Sequence, residues 1–268
     1  MTLTDITVPQ YSSAGSFLHE SPRMNPSADS QLQLIIGGAG AVTALLLGLG
    51  TTWAVKDYNA YIALGPGGPP NNFFGWVIVN IAIRPFCSTK ARAIFTDDYS
   101  KHGAHKDIES LPRRRGPRAS VAGLVPHRQV TQRAPETMRR PVSSLFQNAA
   151  SKNPGILEKR ISSYERHHDA LFVAQKLPKK VPCTYHLSMH LYLSPADARQ
   201  VIEKGWGERH RLSVPTNIWF RHRYGIGDTY LMIYGPRDEE EMEALRIILE
   251  SSIRFMTGRN VNAIEWKS

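Results

Sequence analysis

The densest run of chemically capable side chains lies between Cys183 and Arg211, CTYHLSMHLYLSPADARQVIEKGWGERHR. In its first part His186, Ser188, His190 and Tyr192 alternate with Leu187, Met189, Leu191 and Leu193, so the polar set shares one face of an extended segment. Its last part, Gly205-Trp206-Gly207-Glu208-Arg209-His210, brackets an indole between glycines and follows it with an acid, a guanidinium and an imidazole. An imidazole in a partly dry pocket accepts a proton near neutral pH, and Arg209 or Arg237, with Trp206 and Tyr192, could hold a flat anion. That is general-base chemistry on an acidic organic molecule. His186 and His190 sit about 13 Å apart along a strand, too far to chelate one ion, and no Cys/His metal spacing is present. Ser188 lacks a GxSxG elbow, and no glycine-rich phosphate loop joins a strand to a helix, which argues against a serine hydrolase or a nucleotide enzyme.

The elements that must position these groups follow from pattern. Tyr185 to Leu193 reads as one half-buried strand, and Ser194 then caps a helix with Pro195 at its first position and Gly205 as its stop. Thr216 to Arg223 and Thr229 to Tyr234 read as an antiparallel hairpin turning at Gly225 to Asp228. Asp238, with Glu241 three residues on, opens a helix carrying Met242, Leu245, Leu249, Ile253 and Met256 at helical spacing. Upstream, Leu157, Ile161 and Tyr164 have helical spacing, with a turn to strand at Ala170 to Val173. The expected fold is α+β, a largely antiparallel sheet packed by helices, with one N-terminal transmembrane helix.

Domain organisation is read in four parts: a disordered tail over 1–31, a transmembrane helix over 32–56, a juxtamembrane and basic segment over 57–156, and an α+β core over 157–268. Leu34 to Val55 carries no charge over 22 residues; as a helix that is about 33 Å, enough for the hydrocarbon layer. Basic residues dominate after it, which places the body on the cytoplasmic side of an endomembrane such as the endoplasmic reticulum. Its glycines and alanines would permit a homodimer. Gly65 to Asn72 is a breaker-rich loop, and Phe73 to Cys87 is apolar but short for a second crossing, so a buried or membrane-surface helix is expected. Lys101 to Pro141 holds ten Lys/Arg against three acids. Arg113, Arg114, Arg115 and Arg118 could meet anionic headgroups or pair with the body's own acids, and without interleaved aromatics they offer no nucleic-acid platform. Two cysteines rule out a disulfide framework.

In the order of these pieces the chain resembles the fungal luciferase family, whose characterised member oxidises 3-hydroxyhispidin with O2 and emits light. The resemblance rests on the single apolar helix, Gly65-Pro66, Arg128-Gln129, Glu165 with His167, His190-Leu191, Gly205-Trp206-Gly207 with Arg209-His210, and Pro236-Arg237. His186 and His168 fall outside the shared positions. The resemblance implies an oxygenase with O2 as co-substrate and neither metal nor flavin, acting on a hydroxypyrone or a related phenolic or polyketide molecule. Over these positions, residue chemistry makes His190 the proton acceptor, with His167 and His210 next. Arg209 and Arg237 would stabilise oxyanions, and Trp206 and Tyr192 would wall the substrate. The alternative is a non-catalytic ligand-binding or scaffold module on a cytoplasmic membrane face.

Overall fold

The structure is a computed structural model and describes residues 26–161, 169–174, 182–185, 187–213, 226–261 and 264–266. The chain divides into two compact units, Met1–Ala54 and Val55–Ser268. The described residues of the first unit belong to helix α1, Pro26–Ala63, whose uncharged run is exposed up to Trp53. Its length and composition suit a membrane span or a leader sequence.

The second unit is α+β. After α1 come α2 (Phe73–Ile78), continued by a π turn (Val79–Ile83) and a 3-10 turn (Arg84–Phe86), then α3 (Lys90–Ala93) and α4 (Lys106–Ser110). A small hairpin, β1 (Val121–Ala122) and β2 (Arg128–Gln129), precedes α5 (Arg139–Lys152). The main sheet holds β3 (Leu157–Ile161), β4 (Asp169–Val173), β5 (Pro182–Tyr185), β6 (Met189–Tyr192), β7 (Gly207–Arg209) and β8 (Tyr230–Ile233), with α6 (Pro195–Glu203) between β6 and β7. Its order is β3-β4-β5-β6-β8-β7, and every pairing is antiparallel. The last helix, α7, runs Glu239–Thr257.

Period-two alternation decides which side chains are buried where. Met189, Leu191, Leu231 and Ile233 point into the main core with Leu145 and Phe146 of α5, Val201 and Ile202 of α6, and Met242, Leu245 and Leu249 of α7. Burying a side chain of this size contributes about 1.5–3 kcal/mol. The helix ends follow the sequence: Ser194 Oγ accepts the Asp197 N–H, Asp238 Oδ1 accepts that of Glu241, and Gly258 ends α7 in the left-handed region at φ 68°.

Two expectations are corrected, and a third falls in part outside the described residues. The single strand expected over Tyr185–Leu193 is two strands, β5 and β6, paired with Tyr185 opposite Met189; alternation alone does not reveal a tight turn that preserves its parity. Leu157 to Ile161 is the strand β3 rather than a helix, with Ile161 68% exposed, so its four-residue spacing marks no buried face. β8 pairs with β6 and β7; the expected partner over 216–223 lies outside the described residues, as does the helical position Tyr164.

The arginine run is largely engaged within the body. Arg114 is buried against Glu241, Gln132 and the Gly235 carbonyl, and Arg115 pairs with Asp238. Arg118 donates to the Gly207 and Ile202 carbonyls, while Arg113 is exposed.

Candidate functional site

The face of the sheet opposite the main core carries two cross-strand rows. Register puts His190 opposite Met232 and Met232 opposite Glu208, so these three form one row across β6, β8 and β7. Tyr192 lies opposite Tyr230, and the His210 N–H donates to the Tyr230 carbonyl at 2.9 Å, which gives the second row. Onto these rows folds the turn between β1 and β2, delivering His127. Gln129 pins that turn to the end of β8: its Oε1 accepts the Gly235 N–H at 2.9 Å, and its Nε2 donates to the Thr131 and Gln132 carbonyls.

Three imidazoles therefore meet. His127, His190 and His210 are 3%, 6% and 6% exposed, and one nitrogen of each lies within 4.8 Å of the others. His127 Nδ1 is 3.4 Å from His190 Nε2, and the His127 and His210 rings meet edge-on at 4.6 Å. Tyr230 stacks on His190 at 5.6 Å and on Tyr192 at 4.7 Å. On the far side of His127, Nε2 faces Glu208 Oε1 at 3.8 Å, and Glu208 Oε2 accepts the Tyr234 hydroxyl at 2.9 Å. Tyr234 and Glu208 are thus hydrogen-bonded on one side and His127 and His190 face each other on the other, while the His127 Nε2 that lies between them makes no hydrogen bond.

Burial, aided by the charge of Arg128, pushes His190 down to about 3. Burial first, then the neighbouring imidazoles and guanidinium groups, holds His127 well below its ordinary value. Burial raises the Glu208 carboxyl, against the hydrogen bond from Tyr234. Both histidines are consequently neutral at physiological pH, and the pair can take a proton once an anion beside it offsets the cost of charging.

Two imidazole nitrogens 3.4 Å apart also match adjacent ligands on a tetrahedral ion with bonds of about 2.0–2.1 Å. The sequence spacing offered no such set, because these ligands come from separate elements. His210 argues against a full set of three. Its Nδ1 accepts the Leu212 N–H at 3.1 Å, so the neutral ring carries its hydrogen on Nε2 and acts there as a donor.

The cavity beside the imidazoles is about 70 Å³ and is lined by Gly67, Gly68, Leu124, Val125, Pro126, Leu212, Ile226 and Tyr230 with the three histidines. It is largely apolar, partly open to solvent, and roomy enough for several waters. Gly67 and Gly68 cover one side of it as a lid. Arg128 ties that lid down through the Pro66 carbonyl at 2.8 Å.

The residues expected at the site divide. His190, His210 and Tyr192 come together here, Tyr192 also accepting the Gly227 N–H through its hydroxyl. His167, like His186, lies outside the described residues. Trp206 is in the main core, its Nε1 donating to the Pro112 carbonyl. Arg209 leaves β7 on the opposite face from Glu208, fully buried, and grips Asp98 with both terminal nitrogens at 2.8 and 2.7 Å beneath the Tyr99 ring. Arg237 holds Glu241, Gln132 and the Arg115 carbonyl. Sequence reasoning missed His127, Glu208 and Tyr230. The one available signal for His127 was its position directly before the shared Arg128-Gln129 pair.

A family profile described as Luciferase domain matches residues 186–252. The chain is similar to proteins named luciferase from Armillaria ostoyae and Armillaria gallica, 28% identical over 75% of this chain and 81% of theirs. It is similar also to one from Neonothopanus nambi, 27% identical over 75% of this chain and 80% of that one. No solved structure matches the chain. The profile covers His190, His210, Glu208 and Tyr230 but not His127, which falls upstream of it.

Proposed function

For a member of the fungal luciferase family, we propose the activity of a membrane-anchored oxygenase that joins O2 to a hydroxypyrone or related phenolic or polyketide substrate without a metal or flavin. α1 is the anchor, with the body on the cytoplasmic side, and protease protection of a C-terminal tag in microsomes would sink that orientation. The observation that carries the chemistry is the buried, uncharged imidazole cluster beside a small, largely apolar cavity.

In this reading His190 accepts the hydroxyl proton of the pyrone, and His127 shares it toward Glu208. The imidazolium is costly in the empty pocket and is offset by the enolate formed beside it. His210 Nε2–H, its other nitrogen fixed by Leu212, donates to the developing oxyanion. The enolate carbon gives its electron pair to O2, the oxidant, forming a C–O bond. The terminal peroxide oxygen closes onto the lactone carbonyl. That closure breaks the lactone C–O bond, the ring oxygen leaving as an enolate, and cleavage of the O–O and C–C bonds then releases CO2, with one dioxygen atom leaving in it and the other remaining as a carbonyl oxygen on the former enolate carbon. Closure of the Gly67-Gly68 lid keeps water from the peroxide.

The test is the full chain in detergent micelles with 3-hydroxyhispidin and air, following oxygen uptake, CO2 and light together. Oxygen uptake with CO2 supports the oxygenase whether or not light appears. Binding of the pyrone without uptake would replace it with the ligand-binding module.

A further inference from the structure

The helical run Phe73–Phe86 divides into three stripes. Gly75, Val79 and Ile83 are buried in the body. Trp76, Asn80 and Arg84, one turn apart, all converge on Asp57: Trp76 Nε1 donates at 2.8 Å, Asn80 Nδ2 at 3.3 Å and Arg84 Nη2 at 2.7 Å. The third stripe holds Phe73, Phe74, Ile78 and Ile81, from 45% to 73% exposed, Phe73 at its near end also meeting the Tyr58 ring edge-on at 6.4 Å. Four large apolar side chains in a row facing water are costly, and such a face marks a contact surface.

The clamp identifies the occupant. Asp57 lies two residues after Val55, the last residue of the uncharged run in α1, so the run is fastened to the chain where it would leave a bilayer. At 14 residues it spans about 21 Å, too short to cross, and its large side chains form a single outward stripe, as in helices that lie in the interface plane. With Arg84 on Asp57 and Arg92 on Asp98, Lys56 and Lys90 flank this run as the cations that could meet anionic headgroups. We propose that Phe73–Phe86 is a second membrane-contacting element, lying in the headgroup–acyl boundary of an anionic bilayer with Phe73, Phe74, Ile78 and Ile81 inserted. The loop between it and α1 is folded tightly, with the Tyr61 hydroxyl on the Pro70 carbonyl at 2.7 Å, and it carries Gly67 and Gly68 of the imidazole cavity. The lid is thereby held at the lipid surface.

This inference rests on α1 being a membrane anchor, and the test separates the two. Single cysteines replace Phe74, Ile81, Leu46 in the α1 run, or Glu240 on the exposed start of α7, in a Cys87→Ser, Cys183→Ser background of the full chain. Each carries an environment-sensitive fluorophore in phosphatidylcholine–phosphatidylserine vesicles containing brominated lipids. Labels at 74 and 81 are expected to be blue-shifted and to lose most of their emission to bromine, as at 46, while 240 is unaffected. If 46 is quenched and 74 and 81 behave like 240, the interfacial element is overturned and the anchor stands. If 46 is not quenched, the anchor itself fails and the inference falls with it.

Discussion

His127 Nδ1 and His190 Nε2 are 3.4 Å apart in a region closed to solvent, although 62 residues separate them in sequence. Two neutral imidazoles at this distance share one hydrogen, so each sets the tautomer of the other. They are expected to act as one unit. His190→Gln and His127→Gln should each lower kcat for oxygen uptake by about 10²- to 10⁴-fold, the range for losing a general base. The double variant should be little worse than either single one, since residues acting together are strongly non-additive. Multiplicative losses in the three variants, with folding verified by circular dichroism, would dissolve the pair.

Acid should unfold the body through the same groups. His190 has a folded value of about 3 against an ordinary 6.5, so below 6.5 the unfolded chain binds the proton that the folded chain refuses. Stability is fully present above about pH 6.5 and is lost as pH falls toward 3, at up to about 1.4 kcal/mol per pH unit for this one group. His127, depressed in the same direction, adds to the slope. Thermal melts between pH 7 and pH 5 should show the parent losing more Tm than His190→Gln. Parallel curves would mean that the ring is charged or exposed in the folded protein.

The sequence was most legible where a local rule had one outcome. The cap at Ser194, the cap at Asp238 with its helix, and the inward set Met189, Leu191 and Leu231 follow from side-chain oxygen chemistry and two-residue alternation. The long apolar helix follows from length and the absence of charge. The site was legible only in halves. Alternation put His190 on the polar face and paired Glu208 with His210 against Arg209, but it could not say which of these two sets would join His190, because that depends on the register of β7 against β8. His127 sits in a turn without periodicity, and its position depends on Gln129 meeting Gly235 across 106 residues. Trp206 and Arg209 looked functional by residue type; the core took both, one through Pro112 and the other through Asp98.

Arg209 is therefore expected to matter for stability rather than for chemistry. Its two terminal nitrogens hold Asp98, whose carboxyl is kept low mainly by that bond. Arg209→Met removes the partner and leaves Asp98 with Arg92 at 3.1 Å. Breaking a buried pair from one side costs about 3 kcal/mol or more. Urea unfolding should register that loss, while kcat and KM below the melting range stay near parental values. A variant of parental stability with collapsed kcat would return Arg209 to the oxyanion role.

Gly67 tests the lid. A Cβ there would lie 2.8 Å from Arg128 Nη2 and 2.9 Å from Pro126 Cβ, so Gly67→Ala must move the proline side of the cavity or the guanidinium that fastens the lid. Overpacking of this kind costs about 1–3 kcal/mol. The expected signature is a raised KM for the pyrone with modest loss of Tm. Gly207→Ala, whose Cβ would meet the Met232 carbonyl at 2.4 Å, should instead disrupt the β7–β8 pairing and lower Tm further. Equal effects of the two on KM and Tm would mean that Gly67 is merely structural.

Removing metal ions should leave the activity intact. His127 and His190 could serve as two ligands, but a third bond would have to come from His210, whose Nδ1 lone pair is taken by the Leu212 N–H and whose Nε2 carries the hydrogen. Recruiting it would require breaking that backbone bond or stripping the proton from Nε2, and two imidazoles alone hold a divalent ion weakly. Protein dialysed against a strong chelator is accordingly expected to keep its oxygen uptake and to contain far less than one metal equivalent per chain. Added zinc should inhibit, by drawing the lone pairs of His127 and His190 away from the substrate proton. If chelation abolishes uptake, a divalent ion restores it, and bound metal approaches one equivalent, the three histidines are ligands and the base must be sought elsewhere.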